Sequence, residues 1–147
     1  MRGKKYRIGL IASSVQLVDH AREISEELDY DIQVSSCGLD EAISVGKAME
    51  ASGVEVIVSR GGTSNMLRES LGIPVLSIPL SYFDIFTSVK KAVTLGKKIV
   101  IAVFRNRLSG VRAFEEVLDI KITQGIYSNH DSLEKAIQSA QNQGYDV

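Results

Sequence analysis

Residues 53–64 read Gly53-Val54-Glu55-Val56-Ile57-Val58-Ser59-Arg60-Gly61-Gly62-Thr63-Ser64. The glycine stops the helical pattern before it, and Val54, Val56, Ile57 and Val58 form an apolar, β-branched run of strand length. A strand covered on both faces inside a parallel sheet has this composition. The polar stretch Ser59 to Ser64 then predicts a loop at the carboxyl end of that strand, leading into a short helix over Asn65 to Ser70.

The same alternation extends in both directions. Upstream, Arg7 to Ala12 and Asp31 to Ser35 have strand character, and between them Leu17, Val18, Ala21, Ile24 and Leu28 share one helical stripe. Gly38, Leu39 and Asp40 open a second helix that turns Ala42, Val45 and Met49 inward. Downstream, Gly72 precedes a strand from Ile73 to Ile78, and Tyr82 to Leu95 is a helix with Phe83, Phe86, Val89 and Val93 spaced for one buried face. Lys97 to Phe104 is a further strand, followed by a helix through Val111, Phe114, Val117 and Leu118 and a strand from Ile120 to Thr123. Ser128 or Asp131 announces the last helix, with Glu134 placed as in a capping box, and Leu133, Ala136, Ile137 and Ala140 face inward.

Strands alternating with helices predict an α/β fold of two small Rossmann-like or flavodoxin-like lobes with parallel sheets. The first lobe is expected over 1–80, and a crossover helix with a second lobe over 81–147. The ending Gly144-Tyr145-Asp146-Val147 has the form in which Gly53-Val54-Glu55-Val56 opens a strand. The polypeptide is therefore expected to continue, and the second lobe to be incomplete.

Composition narrows the function. With 44% hydrophobic and 24% charged residues the chain can bury a core, and its net charge of −1 comes from 17 basic and 18 acidic residues scattered along it. That pattern leaves no electrostatic footprint for nucleic acid or an anionic membrane. The basic start, Met1 to Arg7, is followed by an apolar run, Ile8 to Ala12, too short for a signal peptide, and no stretch approaches the roughly 20 apolar residues that span a bilayer. A single Cys37 excludes an internal disulfide framework, so the cytoplasm is the expected compartment.

Ligands of open α/β sheets sit beyond the carboxyl ends of the strands, where helix N–H groups point outward. The loops to inspect are Ser13-Ser14, Ser59 to Ser64, Ser81 to Asp84, and Arg105-Asn106-Arg107. In the second of these, Gly61 and Gly62 let the backbone approach a ligand, Thr63 or Ser64 caps the helix, and Arg60 offers a planar fork suited to carboxylate or phosphate. The plain alternative is a tight turn with a cap and a solvated arginine. Ser13 and Ser14 are equally suited to capping the first helix, and Asp84 to compensating a helix dipole or orienting Arg60.

Catalytic signals are sparse. His20 lies off the apolar stripe and His130 in a polar segment, Cys37 has no histidine near it in sequence, and no cluster has metal-ligand spacing. Neither a phosphate loop ending in Gly-Lys-Ser/Thr nor a Gly-x-Gly-x-x-Gly fingerprint is present, so no cofactor is expected.

The run Val58-Ser59-Arg60-Gly61-Gly62-Thr63, followed by Leu67-Arg68-Glu69, Ile73-Pro74-Val75, Ile78-Pro79 and Phe83-Asp84-Ile85, resembles the amino-terminal sensor domain of propionate catabolism activators. The likeness continues through Lys97-Lys98-Ile99 and Ile126-Tyr127-Ser128 to Gly144-Tyr145-Asp146-Val147. It implies a two-lobed effector-binding domain of an NtrC-type, sigma-54-dependent transcription activator, whose partners are an ATPase module and a DNA-binding module of the same polypeptide. Well-known members respond to 2-methylcitrate, and the family domain extends by a further strand and helix. Carried over, the contacts fall to Ser14, Arg60, Gly61, Gly62, Thr63, Ser81 and Asp84, with Asn106 from the second lobe, and Ser13 and Ser64 beside them. A small anionic metabolite, carboxylate or phosphate, would bind between the lobes and shift their arrangement, without catalysis and without direct contact to nucleic acid or membrane. The resemblance leaves a homodimer open.

Two other classes compete. A racemase-like two-lobed enzyme acting on a small carboxylate needs paired cysteines as acid and base, and one is present. A response-regulator receiver needs acidic residues after its first and third strands, where this chain has Ser13, Ser14 and Ser59.

Overall fold

The computed structural model describes residues 5–146. The basic start as far as Lys4 and the terminal Val147 lie outside the described residues. The chain divides into one compact unit ending at Pro79 and another beginning at Leu80.

The first unit runs β1 (Ile8–Ala12), α1 (Val15–Glu27), β2 (Ile32–Ser36), α2 (Leu39–Ala51), β3 (Val56–Arg60), α3 (Gly61–Ser70) and β4 (Val75–Ile78). Its strands form a parallel sheet in the order β2-β1-β3-β4, with Leu10 in register with both Val34 and Val58. Alternate residues of the central strands feed opposite cores. Ile11 and Ile57, fully buried, pack with Ala42, Met49 and Leu67 beneath α2 and α3. Leu10 and Ala12 pack with Val18 and Ala21 of α1 on the other face.

This order has a consequence for ligands. The chain leaves β1 for β2 on one side and returns to place β3 on the other, so the crossovers diverge between the carboxyl ends of β1 and β3. That divergence is the topological switch point, where open α/β sheets keep their crevice.

The stripe expected on α1 is only partly buried, since Ile24 and Leu28 are exposed. A 13-residue helix is about 20 Å long, whereas the five-residue strands beneath it reach about 17 Å, so its last turn overhangs the sheet.

The second unit runs α4 (Tyr82–Val93), β5 (Lys98–Phe104), α5 (Val111–Leu118), β6 (Lys121–Tyr127) and α6 (His130–Asn142). Its sheet pairs β5 with β6 in parallel from Lys98↔Lys121 to Phe104↔Tyr127. Strand β6 runs on to Tyr127, past the Thr123 expected from the sequence, because cross-strand pairing carries Gln124 and Gly125 despite their weak strand preference.

Three helical details depart from expectation. The buried face of α4 is Ile85 and Val89, with Phe86 and Val93 partly buried, while Phe83 is 76% exposed. Phe83 lies two residues, about 200° of helix rotation, from Ile85, so one helix cannot bury both against one sheet. On α5 the row Val111, Phe114, Leu118 faces inward and Val117 is exposed, as is Ile137 on α6. Helix α6 is capped by Asn129, neither by Ser128 nor by Asp131. Asn129 Oδ1 accepts from Ser132 N at 2.9 Å, and Ser132 Oγ accepts from Asn129 N at 3.0 Å. Glu134 instead pairs with His130 at 3.2 Å. An asparagine followed three residues later by a serine makes the same reciprocal cap as the sequence-level signature, with a shorter partner.

Asp146 is tied to the start of β5. Asp146 N donates to Lys98 O at 2.8 Å, and its carboxylate accepts from Lys97 N at 3.1 Å and Lys98 N at 2.9 Å. A Cβ on Gly96 would fall 2.1 Å from Asp146 Cβ, so this turn requires glycine.

The corrected face of α4 gives a direct check. Ile85→Ala should cost about 2–4 kcal/mol in denaturant unfolding through the cavity it leaves, while Phe83→Ala should stay within about 0.5 kcal/mol.

Candidate functional site

The segment Ser59 to Ser64 is not a loop. Ser59 and Arg60 are the last residues of β3, and Gly61, Gly62, Thr63 and Ser64 are the first turn of α3, so strand passes into helix without a connector. Arg60 is the N-cap residue through its extended backbone, and no side chain caps the helix. Neither Thr63 nor Ser64 has the capping role expected of it, because both lie inside the helix and are buried.

Their hydroxyls are used inward. Ser59 Oγ donates to Ile11 O at 2.7 Å and joins β3 to β1. Ser64 Oγ donates to Gly61 O at 2.8 Å and shares a 2.8 Å hydrogen bond with Ser77 Oγ of β4. Thr63 Oγ1 accepts from Leu39 N at 3.0 Å, across to the first residue of α2. Buried hydroxyls without partners would each cost about 1–3 kcal/mol. Satisfied in this way, they fix the turn that carries Arg60, Gly61 and Gly62.

Above that floor the backbone is open. Gly61 sits in the left-handed region at φ 61°, and nothing lies within 4 Å of where a Cβ would stand. By helix geometry the first N–H groups of α3 lack intrahelical acceptors and carry the positive end of the helix dipole. Arg60 is half-buried, its Nε out of solvent, at the end of β3 beside the switch point.

Neighbouring strand ends converge on the same place. A Cβ on Gly38 would lie 3.2 Å from Ser13 Cβ and 3.3 Å from Thr63 Oγ1. The turns after β1 and β2 and the first turn of α3 thus meet within one residue's width. Ser13 is exposed there, whereas Ser14 is the N-cap of α1, its Oγ accepting from Leu17 N at 3.4 Å and donating to Gln16 Oε1 at 2.9 Å. Gly38 was readable from the sequence only as a helix opener. Its place after a strand was the available signal, but its neighbours belong to distant segments. Cys37, beside it, is buried in the core under α2.

The remaining residues belong to the second unit. Ser81 and Asp84 form the capping box of α4, Asp84 Oδ2 accepting from Ser81 N at 2.9 Å and Ser81 Oγ at 2.7 Å, so these polar atoms are engaged in their own helix start. Asn106 and Arg107 are exposed on the turn after β5, and Arg105 stacks its guanidinium 4.8 Å from the Phe104 ring centroid. Gln124 holds that turn by accepting from Leu108 N at 2.7 Å and donating to Leu108 O at 3.1 Å. Tyr127 meets Phe104 edge to face at 5.5 Å, and burial pushes its phenol above the usual value.

Among the described residues no group of His, Cys, Asp and Glu is placed to hold a metal ion, and no helix is long and apolar enough to cross a membrane.

Comparison with known proteins agrees with this frame. The profile described as propionate catabolism activator matches residues 26–147, which takes in Arg60 to Ser64 and the whole second unit. Among solved structures, an NtrC family transcriptional regulator from Clostridium acetobutylicum superposes with a TM-score of 0.88 at 22% identity, covering 96% of this chain and 75% of that one. At that identity the likeness is one of fold. The transcription regulator CcpA of Lactococcus lactis gives a TM-score of 0.45 at 13% identity over 97% of this chain and 66% of its own, too loose to bear on the site.

The geometry makes two outcomes measurable. Gly61→Ala should destabilise the first unit by about 1–2 kcal/mol in thermal or denaturant unfolding, a purely backbone cost because no neighbour obstructs the methyl group. For Tyr127, a folded-state pKa above the unfolded value near 10 means the unfolded chain loses its proton first as pH rises. Stability should be fully present below pH about 10 and decline above it, and less steeply in Tyr127→Phe, as followed by denaturation at stepped alkaline pH.

Proposed function

Because the chain belongs to the propionate catabolism activator family, we propose that it is the effector-sensing part of a sigma-54-dependent, NtrC-type transcription activator, binding a small anionic metabolite without transforming it. The observation that carries this reading is the junction of β3 with α3. Arg60 ends the strand at the switch point, Gly61 and Gly62 open the helix, and nothing lies within 4 Å of where a Cβ on Gly61 would stand.

A helix start of this kind favours negative charge, and an arginine fork beside it adds paired, charge-assisted hydrogen bonds. In the proposed complex Arg60 grips a carboxylate or phosphate, the Gly61 and Gly62 N–H groups donate to it, and the Ser13 hydroxyl contacts it from the turn after β1. Thr63 and Ser64 support the turn from beneath, and Ser14, Ser81 and Asp84 shape their own helix starts. Asn106 is the contact to test from the second unit. The family resemblance makes 2-methylcitrate, a tricarboxylate, the first ligand to try.

Binding would act by population shift, favouring whichever conformation holds the anion better and thereby altering the restraint on the ATPase and DNA-binding modules of the same cytoplasmic polypeptide.

Calorimetric titration with 2-methylcitrate, citrate and inorganic phosphate tests this. One of them should bind, and Arg60→Ala should weaken it by at least about 2 kcal/mol, roughly 30-fold. Loss of affinity in Asn106→Ala would bring that side chain into the contact set. Absence of heat with all the anions would overturn the sensor reading.

A further inference from the structure

Thr63 was expected to touch the ligand, but its geometry gives it a different part. It is buried, and its Oγ1 accepts a 3.0 Å hydrogen bond from the backbone N–H of Leu39. Leu39 is the first residue of α2, and its N–H is among those a helix start leaves without an intrahelical acceptor. The N-cap of α2 is Gly38, which has no side chain to supply one. The acceptor comes instead from the first turn of another helix.

Leu39 is also held in an unusual conformation. Its φ is 51°, in the left-handed region that a branched side chain rarely enters, and such a residue persists where its surroundings fix it. Here the fixing contact is the Thr63 hydroxyl, and Gly38 lets it form. A Cβ on Gly38 would stand 3.3 Å from Thr63 Oγ1 and 3.2 Å from Ser13 Cβ, close enough that the neighbours would have to give.

Thr63 comes directly after Gly61 and Gly62, whose N–H groups are the proposed anion donors. The three residues share the first turn of α3, so an anion that orders the Gly61 and Gly62 backbone also orders the residue whose hydroxyl holds Leu39. We propose that Thr63 is a positioning residue that latches the start of α2 to the first turn of α3, so that an anion seated at Gly61 and Gly62 tightens the α2 start through the Leu39 N–H. The coupling, though not the latch, rests on the sensor reading above. It gives the sensor a way to report occupancy through α2.

Amide hydrogen exchange at Leu39, resolved by NMR in the whole chain, reads both parts. In the absence of anion, Leu39 should exchange at least about tenfold faster in Thr63→Val than in the unaltered protein, and Thr63→Ser, which keeps the hydroxyl, should restore the slow rate. Gly38→Ala should loosen the same amide from the other side. Equal protection in Thr63→Val and the unaltered protein would overturn the latch. With a saturating anion, whichever of 2-methylcitrate, citrate and inorganic phosphate calorimetry shows to bind, Leu39 exchange should slow further by about threefold or more in the unaltered protein and in Thr63→Ser, but not in Thr63→Val. Binding with no change at Leu39 would overturn the coupling alone. Absence of heat with 2-methylcitrate, citrate and inorganic phosphate alike would overturn the sensor reading and the coupling with it, leaving the latch to stand on the anion-free rates.

Discussion

Strand β3 is clamped at its carboxyl end, and the site geometry depends on that clamp. Its hydrogen-bonding neighbours are β1 and β4, and its last buried side chain, Ser59, donates to the carbonyl of Ile11 on β1. Parallel strands joined by helices bring every crossover back to the same edge, so fixing β3 against β1 also fixes the turns at their carboxyl ends. Ser13 after β1, Gly38 after β2 and Thr63 in α3 meet for that reason, although the intervening sequence spans several elements. A slip of one residue in β3 would exchange Ile57 and Ser59 for Val58 and Arg60 on the core face, placing a charged side chain among Ile11, Met49 and Leu67. The burial pattern of the strand therefore protects the register of the site.

The polarity of Ser59 to Ser64 has a structural origin in the same clamp. A strand that turns directly into a helix buries backbone and side chains together, and polar atoms in that position must find partners. Three hydroxyls do so within the first unit, toward β1, α2 and β4. Each ties a different element to the α3 start. With those ties made inside, the backbone at Gly61 is left with open space beside it.

How far the sequence foretold this depends on range. The alternation of strands and helices was legible because periodicity is local, and the run Val54 to Val58 announced a strand, which the fold forms from Val56 to Arg60. The strand order was not legible, since pairing β3 with β1 is decided by contacts between distant residues. Gly61 and Gly62 were legible as an opening in the backbone. The roles of Thr63 and Ser64 were not, because a polar run next to glycines has the composition of a loop, and only the partners at Leu39 and Ser77 make it the inside of a helix. On α4 the periodicity suggested a stripe beginning at Phe83, and the position of the sheet selects Ile85 instead. The face with Ile85 and Val89 is the one β5 can cover, where they pack with Ile99.

The division between buried hydroxyls and bare glycines bears on what a sensor of this design can discriminate. Backbone N–H groups at a helix start respond to negative charge and distance, and they treat a carboxylate and a phosphate oxygen much alike. Discrimination has to come from groups with directional geometry. In the proposed complex Arg60 would supply a planar fork, which matches two oxygens of one carboxylate or of one phosphate equally well, so it would select for a bidentate anion and not for its central atom. The shape of the remainder of the ligand must then be read by the turns that surround the fork, after β1 and β2. Those turns meet at Ser13 and Gly38, beside the Thr63–Leu39 hydrogen bond, so the residues that set the position of α2 would also bound the space beside an anion seated there. If the proposed complex forms, selecting a ligand and reporting its presence would draw on one set of contacts. A ligand whose body strains the Gly38 turn would lose affinity and fail to tighten Leu39 for the same physical reason.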